Sequence, residues 1–440
     1  MRTILLLLAG FLYLIPGFWN SGFSYAMLAW DFLVLLAALL DGIRLPKARE
    51  ITLGREWLNT PAIDGETEIE LSVVNLGRTI VECRLVDDLP PALVSEPVMH
   101  RVTAFPRSPS RVRYRVQPSE RGDWETGKLY VRFRSPLGLV ESWAMASLEQ
   151  KVRVYPELRM GEEQQIFLAR SRQIDLQLRQ ARQRGLGRDF ESLREYREGD
   201  DLRDICWTAT ARRGNPITRQ YQTERSQPVW IVLDCGRLMR SRVSAGSGAE
   251  GKRHSKLDHA CSTAVALAQL ALFSGDRVGL LAYGQNIQQR LLPGRGAAHL
   301  RQMIELLAQA RAESAEADHL LATAALNRLQ PRRALVLWIT DLAETAMRPE
   351  VIEGGMQLVR RHVLLFVAMA QPEVNRIAEM RPKSVEQMFL ATAAQEMASR
   401  RELLLAQLHE QGALTLDLDP ETLTSAVLNR YLAVKERALV

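Results

Sequence analysis

Two aspartates stand where a folded chain could use them in chemistry, each at the end of an apolar run. Asp234 ends the run Val229-Trp-Ile-Val-Leu-Asp, and Asp341 ends the run Ala334-Leu-Val-Leu-Trp-Ile-Thr-Asp. Such runs are typical of buried parallel strands, and parallel sheets bind their ligands at the carboxyl ends of strands. Carboxylate oxygens at that edge could hold a divalent cation. They could equally cap the helices that follow, which is a frequent role of aspartate.

The residues around Asp234 lack the other ligands of a familiar cation site. Metal sites of the von Willebrand A type carry Asp-x-Ser-x-Ser at the first strand, whereas this sequence has Asp234-Cys-Gly-Arg-Leu. The loop 294–299, where a threonine ligand would be sought, contains none, and Arg237 would repel a metal ion. We therefore treat Asp234, Gly236 and Asp341 as positions of a degenerate site. We expect no metal there, and a divalent cation remains the alternative.

The densest mixture of charged and aromatic residues lies at 187–212. It combines charges of both signs with Phe190, Tyr196 and Trp207. A salt-bridged face that contacts another domain or protein accounts for this composition. Catalysis would need a base, a nucleophile and a cleft, and the order of residues indicates none of them. The sequence also lacks HExxH and GxSxG motifs and paired CxxC motifs, so we predict a protein that is not an enzyme.

Two kinds of hydrophobic pattern divide the soluble part of the chain. From residue 228 to 440, apolar strand runs alternate with helical patterns, which predicts a doubly wound α/β domain with a parallel sheet. Residues 50–157 show short alternating strands with turn signals between them, which predicts a small β-sandwich. A polar stretch at 160–186 follows the β-sandwich and is predicted to form a linker helix. The segment 187–227, which begins with the dense mixture of charged and aromatic residues, connects it to the α/β domain. Arginines at 170–188 either contact anionic lipid or nucleic acid or form a solvated helix face.

The N-terminus carries two apolar runs, Ile4 to Trp19 and Phe23 to Leu40, separated by the turn signal Asn20-Ser-Gly. Together they predict a transmembrane helical hairpin over residues 1–44. Basic residues lie outside both runs, and such flanks stay cytoplasmic, so the remaining domains should face the cytoplasm. A cleaved secretory signal is the alternative. Asp31, inside the second run, is either a functional intramembrane carboxylate or a tolerated polar residue.

Composition excludes several classes of protein. With 440 residues, 47% of them hydrophobic and 25% charged, the chain is neither mainly disordered nor collagen-like, nor is it a polytopic transporter. A net charge of +6 is modest for this length and indicates no specific nucleic acid. The four cysteines are widely spaced, which favours free thiols and a reducing compartment.

The dense segment resembles the signature of a widespread bacterial family, number fifty-eight in the domain-of-unknown-function series. Its pattern is Gly-x-x-Phe-x-x-Leu-Arg-x-Tyr-x-x-Gly-Asp-x-x-Arg-x-Ile-x-Trp, followed by Ala-Arg. The matching residues are Gly187, Phe190, Leu193, Arg194, Tyr196, Gly199, Asp200, Arg203, Ile205, Trp207, Ala211 and Arg212. Upstream, Arg121-Gly, Ser135-Pro-Leu-Gly-Leu-Val and Val154-Tyr-Pro look like the β-domain of that family. Cys206 departs from the pattern, because aspartate is usual there.

The resemblance implies a membrane hairpin, a β-sandwich and a von Willebrand A-like α/β domain in a protein of the bacterial inner membrane. Genes of the family typically lie beside a MoxR-type AAA+ ATPase, which implies an adaptor for that ATPase and an unknown client. The partner-binding residues would then be Arg194, Tyr196, Gly199, Asp200, Arg203, Trp207 and Arg212, with Tyr196 and Trp207 as packing anchors. The alternative is a metal-dependent hydrolase that uses Asp234 and Asp341, with Asp200 or Asp204 nearby.

Overall fold

The computed structural model describes residues 2–13, 15, 22–94, 99–157, 166–173, 189–197, 205–222, 227–244, 253–342 and 350–437. The chain divides into two compact units, an N-terminal unit at 1–155 and a C-terminal unit at 156–440. The predicted site residues include five that lie outside the described ranges, namely Gly187, Gly199, Asp200, Arg203 and Asp204.

Two helices begin the N-terminal unit. Helix α1 spans Arg2–Gly10 and α2 spans Gly22–Arg44. Among the described residues, one segment, Tyr25–Glu50, is long and apolar enough to cross a membrane by length and composition. The indole Nε1 of Trp30 on α2 donates to the Leu6 carbonyl on α1 at 2.9 Å, so the two helices contact each other.

The end of α2 is fastened to a turn of the β-domain. Asp41 is buried and accepts hydrogen bonds from the Ser135 hydroxyl and from the backbone N–H groups of Leu137 and Leu139, the latter two at 3.3 Å. On α1, the Thr3 hydroxyl donates to the Leu139 carbonyl. The turn at 135–140 therefore satisfies its polar groups through the helices.

Nine strands follow among the described residues of the N-terminal unit, and all their ladders are antiparallel. They are β1 (Ile51–Trp57), β2 (Thr67–Asn75), β3 (Val81–Asp87), β4 (Met99–Ala104), β5 (Pro109–Val116), β6 (Gly122–Glu125), β7 (Leu129–Arg134), β8 (Glu141–Ala146) and β9 (Lys151–Val154). The sheets have the orders β1-β2-β5, β4-β3-β7-β8 and β6-β9. Alternate side chains of the two larger sheets, such as Leu71 and Leu85, fill one core, because successive strand residues point to opposite faces.

The C-terminal unit begins with the segment that carries the signature. Residues 166–173 are helical. The rest of the linker helix expected at 160–186 lies outside the described residues. Strand β10 (Asp189–Glu195) pairs antiparallel with β11 (Ile217–Gln222), and the short helix α3 (Trp207–Arg213) lies between them.

A six-stranded sheet forms the centre of this unit. Its strands are β12 (Pro228–Asp234), β15 (Arg277–Tyr283), β16 (Ile287–Gly294), β17 (Leu335–Thr340), β18 (Val363–Met369) and β19 (Leu414–Leu418), in the order β16-β15-β12-β17-β18-β19. A separate hairpin consists of β13 (Arg242–Ser244) and β14 (Arg253–Ser255). The predicted α/β class is confirmed, but the purely parallel sheet is wrong: β16 runs antiparallel to β15. A connection of three residues cannot return the chain for a parallel pairing, so it forms a hairpin.

Helices cover both faces of this sheet. The side chains of Val229, Ile231 and Leu233 pack against α4 (Lys256–Phe273), α5 (Gly296–Gln309) and α10 (Leu423–Glu436). Trp230 and Val232 point the other way, toward α6 (His319–Leu329), α7 (Glu350–Val359) and α9 (Val385–Glu410). A further helix, α8 (Pro372–Glu379), follows β18. Both faces of β12 are thus buried, which explains its uninterrupted apolar sequence.

Candidate functional site

The structure places Asp234 and Asp341 at the same edge of the mixed sheet. Asp234 ends β12, and Asp341 directly follows the neighbouring parallel strand β17. The chain leaves β12 toward α4 on one face and β17 toward α7 on the other, so this edge is a topological switch point. The hydroxyl of Thr340 donates to Asp234 Oδ2 at 2.6 Å and links the two strand ends.

Asp234 is a structural acceptor in a closed pocket. Its Oδ1 accepts the backbone N–H of Gly236 at 2.7 Å, which tightens the turn after β12. Burial raises the pKa of Asp234 to about 6, against the opposing effect of the hydrogen bonds from Thr340 and Gly236. A Cβ at Gly236 would lie 2.8 Å from the Ala317 backbone nitrogen, so this position requires the close approach that glycine allows.

Asp341 forms a buried ion pair that the sequence analysis missed. The Lys256 ammonium lies 2.5 Å from Asp341 Oδ2, and the two side chains are 2% and 0% exposed. The amide of Gln371 donates to the same carboxylate at 3.2 and 3.3 Å, and Arg401 Nη1 lies 3.5 Å from Oδ1. A buried carboxylate needs such partners, because desolvation of an unpaired charge is costly.

The start of α4 explains why Lys256 reaches this edge. Ser255 is the N-cap and forms a capping box with Asp258: each side chain accepts a hydrogen bond from the other residue's backbone N–H. This box fixes Lys256 as the first helical residue. Lysine at a helix start reads as exposed, and the only sequence signal for this position is the Ser-x-x-Asp pattern.

The charge arrangement leaves little reason for a metal. Arg237, the residue expected to oppose a cation, is exposed, and Lys256 and Arg401 supply positive charge to Asp341 instead. Within the described ranges, no group of three or more His, Cys, Asp or Glu could hold a metal ion. A metal would have to displace the ammonium of Lys256.

The loop 294–299 lies at the opposite edge of the sheet. Gly294 pairs with Val278 near the start of β15, and a ring nitrogen of His299 contacts the Val278 carbonyl at 2.6 Å. The reason is the antiparallel direction of β16, which carries the chain back to the amino ends. The loop 310–318 approaches the Asp234 edge instead: Arg237 N–H donates to the Ala315 carbonyl at 2.8 Å.

A cavity of about 420 Å³ opens beside Lys256 at the carboxyl edge. Its walls come from the segment after β12, the start of α4 and the loops after β18 and β19. Charged residues of both signs line it, namely Arg242, Lys256, Glu373, Arg376, Asp419 and Glu421. Val243, Pro372, Val374 and Pro420 add apolar wall, so the lining is mixed.

A buried polar chain runs beneath this edge from Trp338 to His319. The Trp338 indole donates to the Tyr283 hydroxyl at 2.7 Å, and that hydroxyl lies 2.8 Å from His319 Nδ1. Burial lowers the pKa of His319 to about 4, so its imidazole is neutral at physiological pH. His319 is therefore a satisfied core histidine.

The described signature residues occupy one small substructure. Arg194 lies opposite Thr218 in the β10–β11 ladder, and the Tyr196 N–H donates to the Pro216 carbonyl at 2.9 Å. Trp207 begins α3 and is 69% exposed, and Arg212, in the last turn of α3, is exposed as well. Gly199, Asp200 and Arg203 lie outside the described residues.

Cys206 keeps this substructure together without a carboxylate. It is buried, its backbone N–H donates to the Ile217 carbonyl at 2.7 Å, and its Sγ lies 3.4 Å from the Thr208 hydroxyl. The Thr210 hydroxyl accepts the Ile217 N–H at 3.0 Å. Both the N–H and the carbonyl of Ile217 thus bind α3 and its N-cap to β11.

Comparison with solved structures yields low overall similarity. An uncharacterized membrane spanning protein from Vibrio fischeri gives a TM-score of 0.18 at 14% identity, covering 48% of this chain and 99% of that one. The CARDB domain of the PF1109 protein from Pyrococcus furiosus gives 0.18 at 15% identity, covering 25% of this chain and 94% of that one. Scores of this size carry no argument about fold or function.

Comparison with known sequences is more informative. The uncharacterized protein Rv1480 of Mycobacterium tuberculosis is 29% identical over 193 residues, which is 43% of this chain and 56% of the relative. The uncharacterized protein YeaD of Bacillus subtilis is 23% identical over 251 residues, 55% of this chain and 56% of the relative. The chain thus spans about half the length of the relatives it matches. Residues 192–400 match the model described as "Protein of unknown function DUF58", which confirms the resemblance: this part of the chain is similar to the DUF58 family.

Proposed function

We propose that this protein is a membrane-anchored, cytoplasm-facing adaptor that works with a MoxR-type AAA+ ATPase on a client complex. The observation that carries the proposal is the exposure of Trp207, 69%, within the family's own signature. Exposing a tryptophan costs solvation free energy, and tryptophan is enriched among residues that dominate binding interfaces. Arg212, in the last turn of the same helix, is exposed as well and adds a charge that can orient a partner.

The rigidity of α3 supports this role. The Cys206 N–H donates to the Ile217 carbonyl, and the Thr210 hydroxyl accepts the Ile217 N–H, so both bonds hold the start of the helix on β11 beside Trp207. A preorganised anchor loses less entropy on binding than a mobile one.

A von Willebrand A-like fold is part of the proposal for the C-terminal unit. In sequence order, the strands of the sheet run 3-2-1-4-5-6, which is a doubly wound order with its switch point at Asp234 and Asp341. The Lys256 ammonium supplies the positive charge that a bound cation would supply at this edge. Partner capture through this edge would then need no divalent cation.

An N-terminal membrane hairpin is the second part. Helix α2 has 23 residues, about 35 Å at 1.5 Å per residue, enough for a hydrocarbon core of about 30 Å. Its leucines, among them Leu33, Leu36 and Leu39, are exposed in the isolated chain, as a lipid-facing surface would be. The contact of Trp30 with Leu6 supports an α1 that runs back along α2. Basic residues after α2 favour a cytoplasmic location for the domains that follow, at the bacterial inner membrane.

The hydrolase alternative has weaker support. It would require Asp234 and Asp341 to bind a metal together, but Asp234 is bound to Thr340 and Gly236, and Asp341 is bound to Lys256. Neither carboxylate has a water-accessible face of its own, since they are 4% and 1% exposed.

Affinity purification of the detergent-solubilised chain, with and without ATP, tests the adaptor role. Recovery of an AAA+ ATPase by mass spectrometry is expected for the wild type and for Trp143→Ala. Trp143 is a matched control, because it is 63% exposed but lies in the N-terminal unit. Trp207→Ala should reduce recovery at least tenfold, in line with the roughly 2 kcal/mol of an interface anchor. Equal recovery with both variants would contradict the proposal.

A further inference from the structure

The outer face of the β4-β3-β7-β8 sheet carries a line of arginines. Register places Arg84 directly beside Arg101 on one neighbouring strand and beside Arg132 on the other. On the last strand, Trp143 continues the line opposite Arg132. We call Arg101, Arg84 and Arg132 the arginine row. Like charges directly opposite each other destabilise a sheet, so a row of three needs a reason.

The acids among the described residues neutralise this row only in part. Glu141 is shared between Arg132 and Arg134, and Arg132 Nε is buried without a hydrogen-bond partner. Among the residues that the structure describes, the side chains of Arg84 and Arg101 form no ion pair. The pKa of Arg134 is lowered, first by desolvation and then by Arg84, Arg132 and Arg2, and Glu82 opposes this shift only in part.

The row lies next to the end of the apolar helix α2. Strand β7, which carries Arg132, runs directly into the turn at 135–140, and Asp41 of α2 binds this turn. Arg2 also reaches the turn, with its Nη1 3.5 Å from the Leu137 carbonyl. Leu137 at the tip is 58% exposed.

Side chains around the row suit a membrane surface. The Arg132 guanidinium lies over the Trp143 ring, 5.2 Å from its centroid, and Trp143 is 63% exposed. Tryptophan beside basic residues is typical of the interface between lipid and water. An anionic surface attracts basic residues placed within a Debye length of it.

We propose that this face binds the headgroups of anionic phospholipids through the arginine row, with Trp143 and Leu137 at the lipid interface. This inference rests on the proposed membrane anchor and adds a specific lipid class to it. An acidic protein segment would match the charge, but the position beside α2 favours lipid. The surface would hold the β-domain against the bilayer that α2 enters.

Calorimetric titration of the detergent-solubilised full chain with short-chain phosphatidylglycerol tests this proposal. Short-chain phosphatidylcholine serves as the neutral comparison. We expect phosphatidylglycerol to bind at low salt and to bind less well at high salt, and phosphatidylcholine to give no comparable heat. Each arginine near an anionic surface is worth roughly a fivefold change in affinity, so Arg84→Gln combined with Arg132→Gln should weaken binding about 25-fold.

The pair Arg111→Gln and Arg115→Gln is the matched control. Both arginines are exposed, 60% and 66%, on β5 of the other sheet, and their loss should leave lipid binding within twofold. Hydrogen exchange of peptides covering β7 and β8 should slow on addition of phosphatidylglycerol in the wild type.

Three results would overturn the proposal: equal binding of both lipids, unchanged binding by the Arg84/Arg132 variant, or preference for an acidic peptide over phosphatidylglycerol. ATPase recovery with the same variant separates this inference from the adaptor role. It should stay at the wild-type level, because Trp207 is untouched. Carbonate extraction of membranes reports on the anchor by itself.

Discussion

Replacing Lys256 by methionine tests how the strand edge is held together. Methionine keeps the length of the side chain but removes the ammonium that faces Asp341. Breaking a buried pair from one side costs about 3–5 kcal/mol, because the remaining charge stays desolvated. Arg401, 3.5 Å from the other carboxylate oxygen, compensates in part, so we expect the low end, about 3 kcal/mol.

A second substitution isolates the pair. In the double variant Lys256→Met, Asp341→Asn, no unpaired charge remains, and Arg401 keeps its bonds to Asp417 at 2.7 and 3.0 Å. We expect this double variant to lie within about 1 kcal/mol of the wild type, since apolar or neutral replacements of buried pairs are often nearly neutral. Arg400→Met is the control, because Arg400 pairs with Glu396 at the surface of α9 and should cost at most about 0.5 kcal/mol.

Peptide-resolved hydrogen exchange of the full chain measures these changes. Amides of β12 and β17 report the opening free energy of the C-terminal unit in the presence of the N-terminal unit. A loss below about 1 kcal/mol for Lys256→Met would refute the reasoning. So would a double variant whose destabilisation equals the sum of the two single ones.

Three further predictions concern pH and metal. Burial lowers the pKa of His319 from 6.5 to about 4, so neutral His319 contributes to the free energy of unfolding above pH 6.5, and this contribution is lost as the pH falls toward 4. In urea unfolding, His319→Asn should therefore lose about 3 kcal/mol less of its free energy of unfolding than the wild type over this pH range. Burial raises the pKa of Asp234 from 3.8 to about 6. Protonated Asp234 therefore adds to the free energy of unfolding below pH 3.8, and this addition is lost as the pH rises through 6. Relative to the wild type, Asp234→Asn should therefore be most stable at pH 7 and lose about 3 kcal/mol of this advantage by pH 4; a flat difference would contradict the assignment. Magnesium or a chelator should leave the unfolding midpoint unchanged, and a rise with magnesium would restore the metal alternative.

The position of Asp234 and Asp341 illustrates what the sequence can specify. Both follow apolar runs that are typical of buried strands. Because the carboxyl ends of parallel strands lie at one edge of a sheet, their proximity can be predicted without knowledge of any tertiary contact. The same rule failed for β16. Its sequence, Ile-Gln-Gln-Arg-Leu, is half polar because an edge strand is half exposed. Because β16 runs antiparallel to β15, the loop 294–299 lies at the edge opposite to Asp234 and not beside it.

Lys256 illustrates what the sequence cannot specify. Its partner is 85 residues away, and nothing local distinguishes a lysine that folds back over a sheet edge from one in solvent. The arginine row is hidden for a similar reason: Arg84, Arg101 and Arg132 are unremarkable in their own strands and become a row only through register.

The bonds from Asp41 to the turn at 135–140 bear on how this chain can be cut and made. A fragment that starts after residue 44 would leave the Ser135 hydroxyl and the N–H groups of Leu137 and Leu139 without the carboxylate that they bind. Removing the helices to gain a soluble product would therefore also loosen the β7–β8 connection. Asp41 and Ser135 are 94 residues apart, so the turn can complete these bonds only once α2 lies beside it.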